Sequence, residues 1–315
     1  MLDFMDCAPF FDDIAHGPDG GAAHWLHTAD GLRIRVAHWP KTDAKGTVLI
    51  FPGRTEYVEK YGRSAQALAD RGYASLAVDW RGQGIADRMM DNRAIGHVGR
   101  FFDYQKDVDA LVAHAKTLDL PRPFFLIGHS MGGCIGLRAL MRGLDVKAAM
   151  FSAPMWGIQM SLALRPVAWG LSTMSKPLGF DDALAPGQFE QPYILRADFA
   201  ENTLTADREM FNTLRDQVRA HADLGLGGPS LRWLNKSLRE MHRLSLRPAP
   251  DVPCITFLGS EEAIVDPERI RRRMHDWPGG ALHVIARGRH EMLMDAPRLR
   301  ETMLDQTAAL FDAHR

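Results

Sequence analysis

Phe124-Phe125-Leu126-Ile127-Gly128-His129-Ser130-Met131-Gly132-Gly133 runs from four apolar residues through a G-x-S-x-G turn into a helix-period pattern. The apolar run predicts a buried strand over 124–127, and the pattern beyond it predicts a helix over 131–141. Gly128 and Gly132 let the chain turn sharply without side-chain clashes. Such a turn holds the Ser130 hydroxyl above the strand end, at a helix N-terminus that favours developing negative charge. The pentapeptide alone is a weak signal, and an ordinary turn with a capping serine is the bland alternative. Its place between strand and helix makes Ser130 the candidate nucleophile.

The same alternation extends outward on both sides. Apolar runs predict strands over 47–51 and 73–78 upstream and over 146–151 downstream, with helices over 58–70 and 103–118 between them. Continuous apolar strands alternating with helices imply a mostly parallel sheet covered by helices on both faces. A hairpin over 23–39, turning at Asp30-Gly31, precedes it. The rhythm breaks over 154–247, which is helical, rich in Met, Leu and Trp, and punctuated by Pro177, Pro186 and Pro192. It resumes with a strand over 254–258, a helix over 267–275, a strand over 281–285 and a closing helix over 297–313. The fold class is therefore α/β, with a core of residues 1–153 and 248–315 and a helical cap of 154–247 inserted in it.

A serine hydroxyl is a poor nucleophile until a base takes its proton. In strand–turn–helix serine sites the acid and then the histidine follow later in the chain. His290, in Gly288-Arg289-His290-Glu291, follows the last strand in a glycine-containing loop, whereas His283 falls inside that strand and His275 at a helix end. The acid should follow the strand over 254–258, where Glu261, Glu262 and Asp266 stand. Asp266 precedes Pro267 and suits an N-cap, so Glu262 is favoured, with Asp266 the alternative. An oxyanion intermediate needs aimed N–H donors. The backbone of Met131 and that of Arg54, in the loop Pro52-Gly53-Arg54-Thr55-Glu56, are the candidates. An ordinary Pro-Gly turn with the Arg54 side chain in solvent is the bland alternative.

The segments Phe51-Pro-Gly-Arg-Thr-Glu-Tyr-Val-Glu-Lys-Tyr61, Asp79-Trp-Arg-Gly-Gln-Gly84, Gly96-His-Val-Gly-Arg-Phe101 with Tyr104 and Asp107, Gly128-His-Ser-Met-Gly-Gly133 and Gly288-Arg-His-Glu291 together resemble the bacterial lysophospholipases and monoacylglycerol lipases of the α/β-hydrolase superfamily. The resemblance covers about 46–153 and 253 to the C-terminus, and the cap least. It implies that Ser130 and His290 are nucleophile and base. Glu262 falls where the family usually has Asp, and Asp266 on the second acid of that loop. Pro52-Gly53-Arg54 resembles the lysophospholipase branch more than the His-Gly start common in monoacylglycerol lipases. The expected activity is hydrolysis of an acyl ester of a lysophospholipid or monoacylglycerol through an acyl-enzyme. Another acyl substrate, as for a peptidase or thioesterase, and a non-catalytic binding protein of the same fold are the alternatives.

Neither a metal nor an organic cofactor is expected, since this chemistry needs none. In the cap, Trp156, Leu162, Leu164, Trp169, Leu171 and Met174 are candidates to line an acyl channel, against the plainer reading that they pack the cap onto the sheet. Arg165 lies among them, as a solvated cation in preference to a phosphate ligand. A formal net charge of −1 gives no basic footprint for nucleic acid. The three cysteines, Cys7, Cys134 and Cys254, are too few and too far apart for a disulfide framework or a metal spacing, and fit a reducing compartment. Residues 1–13 carry Asp3, Asp6, Asp12 and Asp13 without Lys or Arg, unlike a secretory leader. The apolar window 155–174 is broken by Arg165 and Pro166. A charge at that depth costs about 2.5–3.5 kcal/mol, which argues against a spanning helix. A cytoplasmic protein, with transient contact between the cap and the inner membrane face, is expected.

Overall fold

The computed structural model describes residues 6–315; Asp3 and the other residues before Asp6 in the acidic N-terminal stretch lie outside them. Among the described residues nine strands form one sheet in the order β1-β2-β3-β5-β4-β6-β7-β8-β9. They are β1 (Cys7–Ala8), β2 (Ala22–His27), β3 (Arg33–Trp39), β4 (Thr47–Phe51), β5 (Ala74–Asp79), β6 (Phe124–His129), β7 (Ala149–Ser152), β8 (Cys254–Gly259) and β9 (Gly280–Ile285). The helices are α1 (Asp12–Ala15), α2 (Gly62–Asp70), α3 (Tyr104–Thr117), α4 (Ser130–Met141), α5 (Leu164–Met174), α6 (Tyr193–Arg196), α7 (Arg208–Ala220), α8 (Leu231–Ser245), α9 (Pro267–His275) and α10 (Pro297–Ala313).

From β5 to β9 every pairing is parallel, and β1, β2 and β3 add antiparallel at the other edge. The β2–β3 hairpin turns at Gly31, whose φ of +80° lies in the left-handed region that glycine enters freely. β4, β5, β6 and β8 are buried along their whole length, as strands covered by helices on both faces must be. The predicted strand over 146–151 enters the ladder later, at Ala149, because Val146 is still in a turn that closes on the Leu144 carbonyl. The predicted helix over 58–70 opens as a 3₁₀ turn, Val58–Tyr61, before α2.

Parallel strands aligned in this way bring Phe51, His129, Ser152 and Gly259 to one edge of the sheet. Loops that leave the carboxyl ends of parallel strands are where α/β sheets bind ligands. Residues 154–247 lie between β7 and β8 and pack over that edge. α8 joins the main core through Trp233, Leu238, Met241 and Leu244. α7 forms a smaller apolar cluster with Ile194, Leu224, Tyr57 and Met294. Both helices are started by side chains, Asp207 accepting from the Met210 N–H and Ser230 from the Trp233 N–H. Among the described residues no helix is long and apolar enough to cross a membrane.

Candidate active site

β6 ends at His129 and α4 starts at Ser130, so the serine stands on the strand-to-helix turn. Its φ is +47°, a strained value for a residue with a Cβ. The turn is held from two sides. The Ser130 carbonyl accepts from the Met155 N–H at 2.8 Å, and a Cβ on Gly132 would run into the Phe51 carbonyl. The Met131 N–H belongs to the first turn of α4 and has no helical partner behind it. The Arg54 N–H also meets no acceptor among the described residues. Its loop is pinned by the Pro52 carbonyl, which accepts from Trp80 Nε1 at 2.9 Å, and by the Thr55 N–H, which donates to Gln83 Oε1 at 2.5 Å. Trp80 and Gln83 come from the Asp79-Trp-Arg-Gly-Gln-Gly84 segment, so that motif positions the loop.

His290 Nδ1 lies 2.8 Å from Glu262 Oε2. Glu262 Oε1 accepts from the Ile264 and Val265 N–H groups at 2.6 and 3.1 Å. The Glu262 side chain has no solvent exposure. Burial raises its pKa, but the charge and hydrogen bond of His290 and the two backbone donors outweigh this and hold it below the usual carboxylate range. With Nδ1–H donated to an ionised Glu262, Nε2 is free to accept a proton. Ser130 and His290 line the same cavity, with no hydrogen bond between them in this conformation. Asp266 is engaged elsewhere: it caps α9 through the Glu268 and Arg269 N–H groups and pairs with Arg165 at 3.0 Å. Glu261 is exposed, with Arg289 3.7 Å away.

Sequence reading missed a buried charge cluster behind this site. Lys60 Nζ lies 2.6 Å from Glu56 Oε1 and 2.8 Å from Glu291 Oε1. His129 Nε2 lies 3.4 and 3.3 Å from the same two carboxylates, and His129 Nδ1 donates to the Ser152 carbonyl. Burial alone would lower the His129 pKa; Glu291 and Glu56 reverse this and raise it. Two carboxylates therefore face the Lys60 ammonium and an imidazole whose protonated form they favour. The cluster joins the loop after β4, where Glu56 also accepts from the Gly53 N–H, to the elbow at His129 and to the base loop at Glu291. Glu56, His129 and Glu291 have the donor types of a metal trio, but the Lys60 ammonium already supplies the positive charge between the two carboxylates. The Glu56-to-Lys60 spacing of one helical turn was the available signal.

The cavity over Ser130 and His290 has a volume of about 670 Å³, within the range of small-molecule sites. Met155, Leu164, Val167, Leu171, Leu226 and Trp233 supply part of its mostly apolar wall. Four of the expected lining residues are not there. Trp156 is buried against the sheet, stacked on Trp277 and donating from Nε1 to the Gly133 carbonyl. Trp169 packs edge-on to His242 of α8. Met174 is 53% exposed on the outer face of α5, and Leu162 is 80% exposed outside the cavity. Arg165 pairs with Asp266 while its side chain stays 41% exposed, outside the cavity wall. The Arg54 side chain also turns inward: its guanidinium donates to the Gly227 carbonyl and lies 5.3 Å from the Trp233 ring.

The model of the family described as "Serine aminopeptidase, S33" (Hydrolase_4) matches residues 42–297. Lysophospholipase L2 of Escherichia coli strain K12 is 29% identical over 305 residues, covering 90% of this chain and 86% of that protein. The probable lysophospholipase L2 of Haemophilus influenzae is 24% identical, covering 94% and 91%. Among solved structures, a soluble variant of the Saccharomyces cerevisiae monoglyceride lipase in complex with a substrate analog aligns over 98% of this chain and 99% of its own. Its TM-score is 0.75 at 20% identity. The chain belongs to this hydrolase family and has the α/β-hydrolase fold.

Proposed function

We propose that this family member is a serine carboxylester hydrolase that removes the acyl chain of lysophospholipids or monoacylglycerols. The observation that carries the reading is the 2.8 Å His290–Glu262 pair beside Ser130, at the floor of an apolar cavity. Ser130 Oγ attacks the ester carbonyl while His290 Nε2 takes its proton. The oxyanion is held by the N–H groups of Met131 and Arg54. The intermediate collapses to an acyl-enzyme as His290 returns the proton to the departing glycerol oxygen. Water then repeats the sequence and releases the fatty acid. Glu262 fixes the imidazole tautomer and stabilises the imidazolium. Residues 154–247 act as the cap that encloses the acyl chain, and no cofactor takes part.

An aminopeptidase reading, which the family description invites, needs a carboxylate free to receive a substrate ammonium. Glu56 and Glu291 are acids of the cavity wall, and Lys60 and His129 compensate both. The lysophospholipase and monoglyceride lipase relatives favour the lipid reading instead. The exposed apolar side chains of the cap, with Leu162 and Leu178 at 80% and 63%, support transient contact with a membrane surface. Together with three cysteines that form no disulfide, they support a place in the cytoplasm at the inner membrane face.

The test is hydrolysis by wild type and Ser130→Ala of nitrophenyl esters, monoacylglycerols and lysophospholipids. Wild type should cleave the glycerolipids, and the variant should be slower by about 10⁴-fold or more in kcat. Cleavage of aminoacyl substrates in preference to all the esters would overturn the reading.

A further inference from the structure

The deeply buried cations of this molecule are matched to acids. Arg35 pairs with Glu59 and Asp79, Arg81 with Asp30 and Asp107, Arg138 with Glu240, and Lys60 with Glu56 and Glu291. Arg54 differs. It lines the cavity that holds Ser130 and His290, and among the described residues no carboxylate pairs with it. The Gly227 carbonyl is the only acceptor its side chain meets there, and its Nε is buried without one. The guanidinium sits in a made space. A Cβ on Gly96 would lie 2.6 Å from Arg54 Nη2, and the Trp233 ring forms another wall at 5.3 Å. Burial lowers its pKa to about 10, so it stays charged at neutral pH. Since the carboxylates of the cavity wall are compensated by Lys60 and His129, the missing anion has to come from the ligand.

We infer that Arg54 is a specificity-determining residue whose guanidinium binds the phosphodiester of a lysophospholipid. The inference rests on the proposal that the cavity takes acyl glycerolipids. A planar fork of N–H donors matches phosphate oxygens in a way an ammonium does not. The residue is also placed for the task. Its backbone N–H is the proposed oxyanion donor, so one residue serves both the ester carbonyl and the phosphodiester of the same molecule. A monoacylglycerol offers Arg54 no anion and gains nothing from it.

The test compares non-hydrolysable decyl ethers, one a glycerophosphocholine and one a neutral glycerol, in equilibrium binding to wild type, Arg54→Met and Arg54→Lys. Wild type should bind the phosphodiester at least about tenfold more tightly than the neutral ether. Arg54→Met should abolish that ratio, and Arg54→Lys should keep part of it. Equal binding of the two ethers by wild type overturns the inference without any variant, and so does a ratio that Arg54→Met leaves unchanged. Inorganic phosphate is the third arm. If it binds wild type as tightly as the ether phospholipid does, Arg54 serves a free anion and the lipid assignment is wrong. Hydrolysis of the matching esters is read separately. A wild type that binds the ethers with the expected ratio but cleaves neither ester removes the proposed function and leaves the phosphate site standing.

Discussion

The central sheet and α5, in the segment between β7 and β8, treat apolar side chains in opposite ways. In the sheet, β4, β6 and β8 bury every residue. The charged groups packed near them form closed sets, such as Arg35 with Glu59 and Asp79. In α5, Ser172 is the only buried residue, while Leu164, Val167 and Met174 are more than half exposed. The difference separates two demands on one chain. The elbow, the base loop and the loop after β4 must be held still, and dense packing with satisfied polar groups does that. In the proposed function the apolar surface of α5 serves what it would meet, acyl chain on the cavity side through Leu164, Val167 and Leu171 and a lipid surface on the outer side.

The largest effect should follow from disturbing the rigid part at its chemical centre. Glu262→Gln keeps an oxygen for the Ile264 and Val265 N–H groups but loses the negative charge beside His290 and permits the wrong imidazole tautomer. The kcat for a soluble nitrophenyl ester should fall by about 10⁴-fold. A fall of less than tenfold would show that Glu262 is not the acid, and Asp266→Asn, expected to act mainly on the α9 cap, would then be the variant to compare.

Stability offers the next contrast. Lys60→Met leaves Glu56 and Glu291 facing each other in the core with His129 alone between them. Removing one partner from a buried charge set costs about 3–5 kcal/mol. Arg219→Met in the helical segment breaks a pair with Asp216 in which both side chains are more than half exposed, and should cost about 1 kcal/mol or less. Urea unfolding of the two variants measures both. Equal losses would mean that the two regions are not held differently after all.

How much of this could be read from the sequence follows the same division. The strands were legible because a strand covered on both faces is a run of apolar residues, as in Thr47–Phe51. Ser130, His290 and Glu262 were legible as candidates because each stands just beyond such a run. Face and distance were not legible. Trp156 and Leu164 occur in one apolar window, yet Trp156 stacks on Trp277 and Leu164 lines the cavity. A one-dimensional pattern without strict periodicity does not say which side of a chain meets a wall. The Arg54 side chain was out of reach for another reason, since its acceptor is Gly227, 173 residues away. The Glu56, Lys60, His129 and Glu291 cluster likewise joins three loops whose closeness is a property of the sheet order.

The smallest effect on the folded protein, and the sharpest test of the helical segment, should come from Leu162→Ser combined with Leu178→Ser. Both side chains lie outside the cavity and are already mostly in water, at 80% and 63% exposure. The Tm should therefore hardly move, since surface substitutions of this kind stay within about 0.5 kcal/mol. If the outer face of the cap meets a bilayer, those same side chains leave water there. Full burial of a leucine is worth about 1.5–3 kcal/mol, so losing two partly inserted ones should weaken partition by tenfold or more. Flotation with anionic phospholipid vesicles reads this directly, with hydrolysis of a soluble ester as the control for an intact site. Wild type that stays with the aqueous fraction removes the membrane reading. The exposed leucines would then have to be explained by the cap alone, for instance as surface that becomes buried when it closes over an acyl chain.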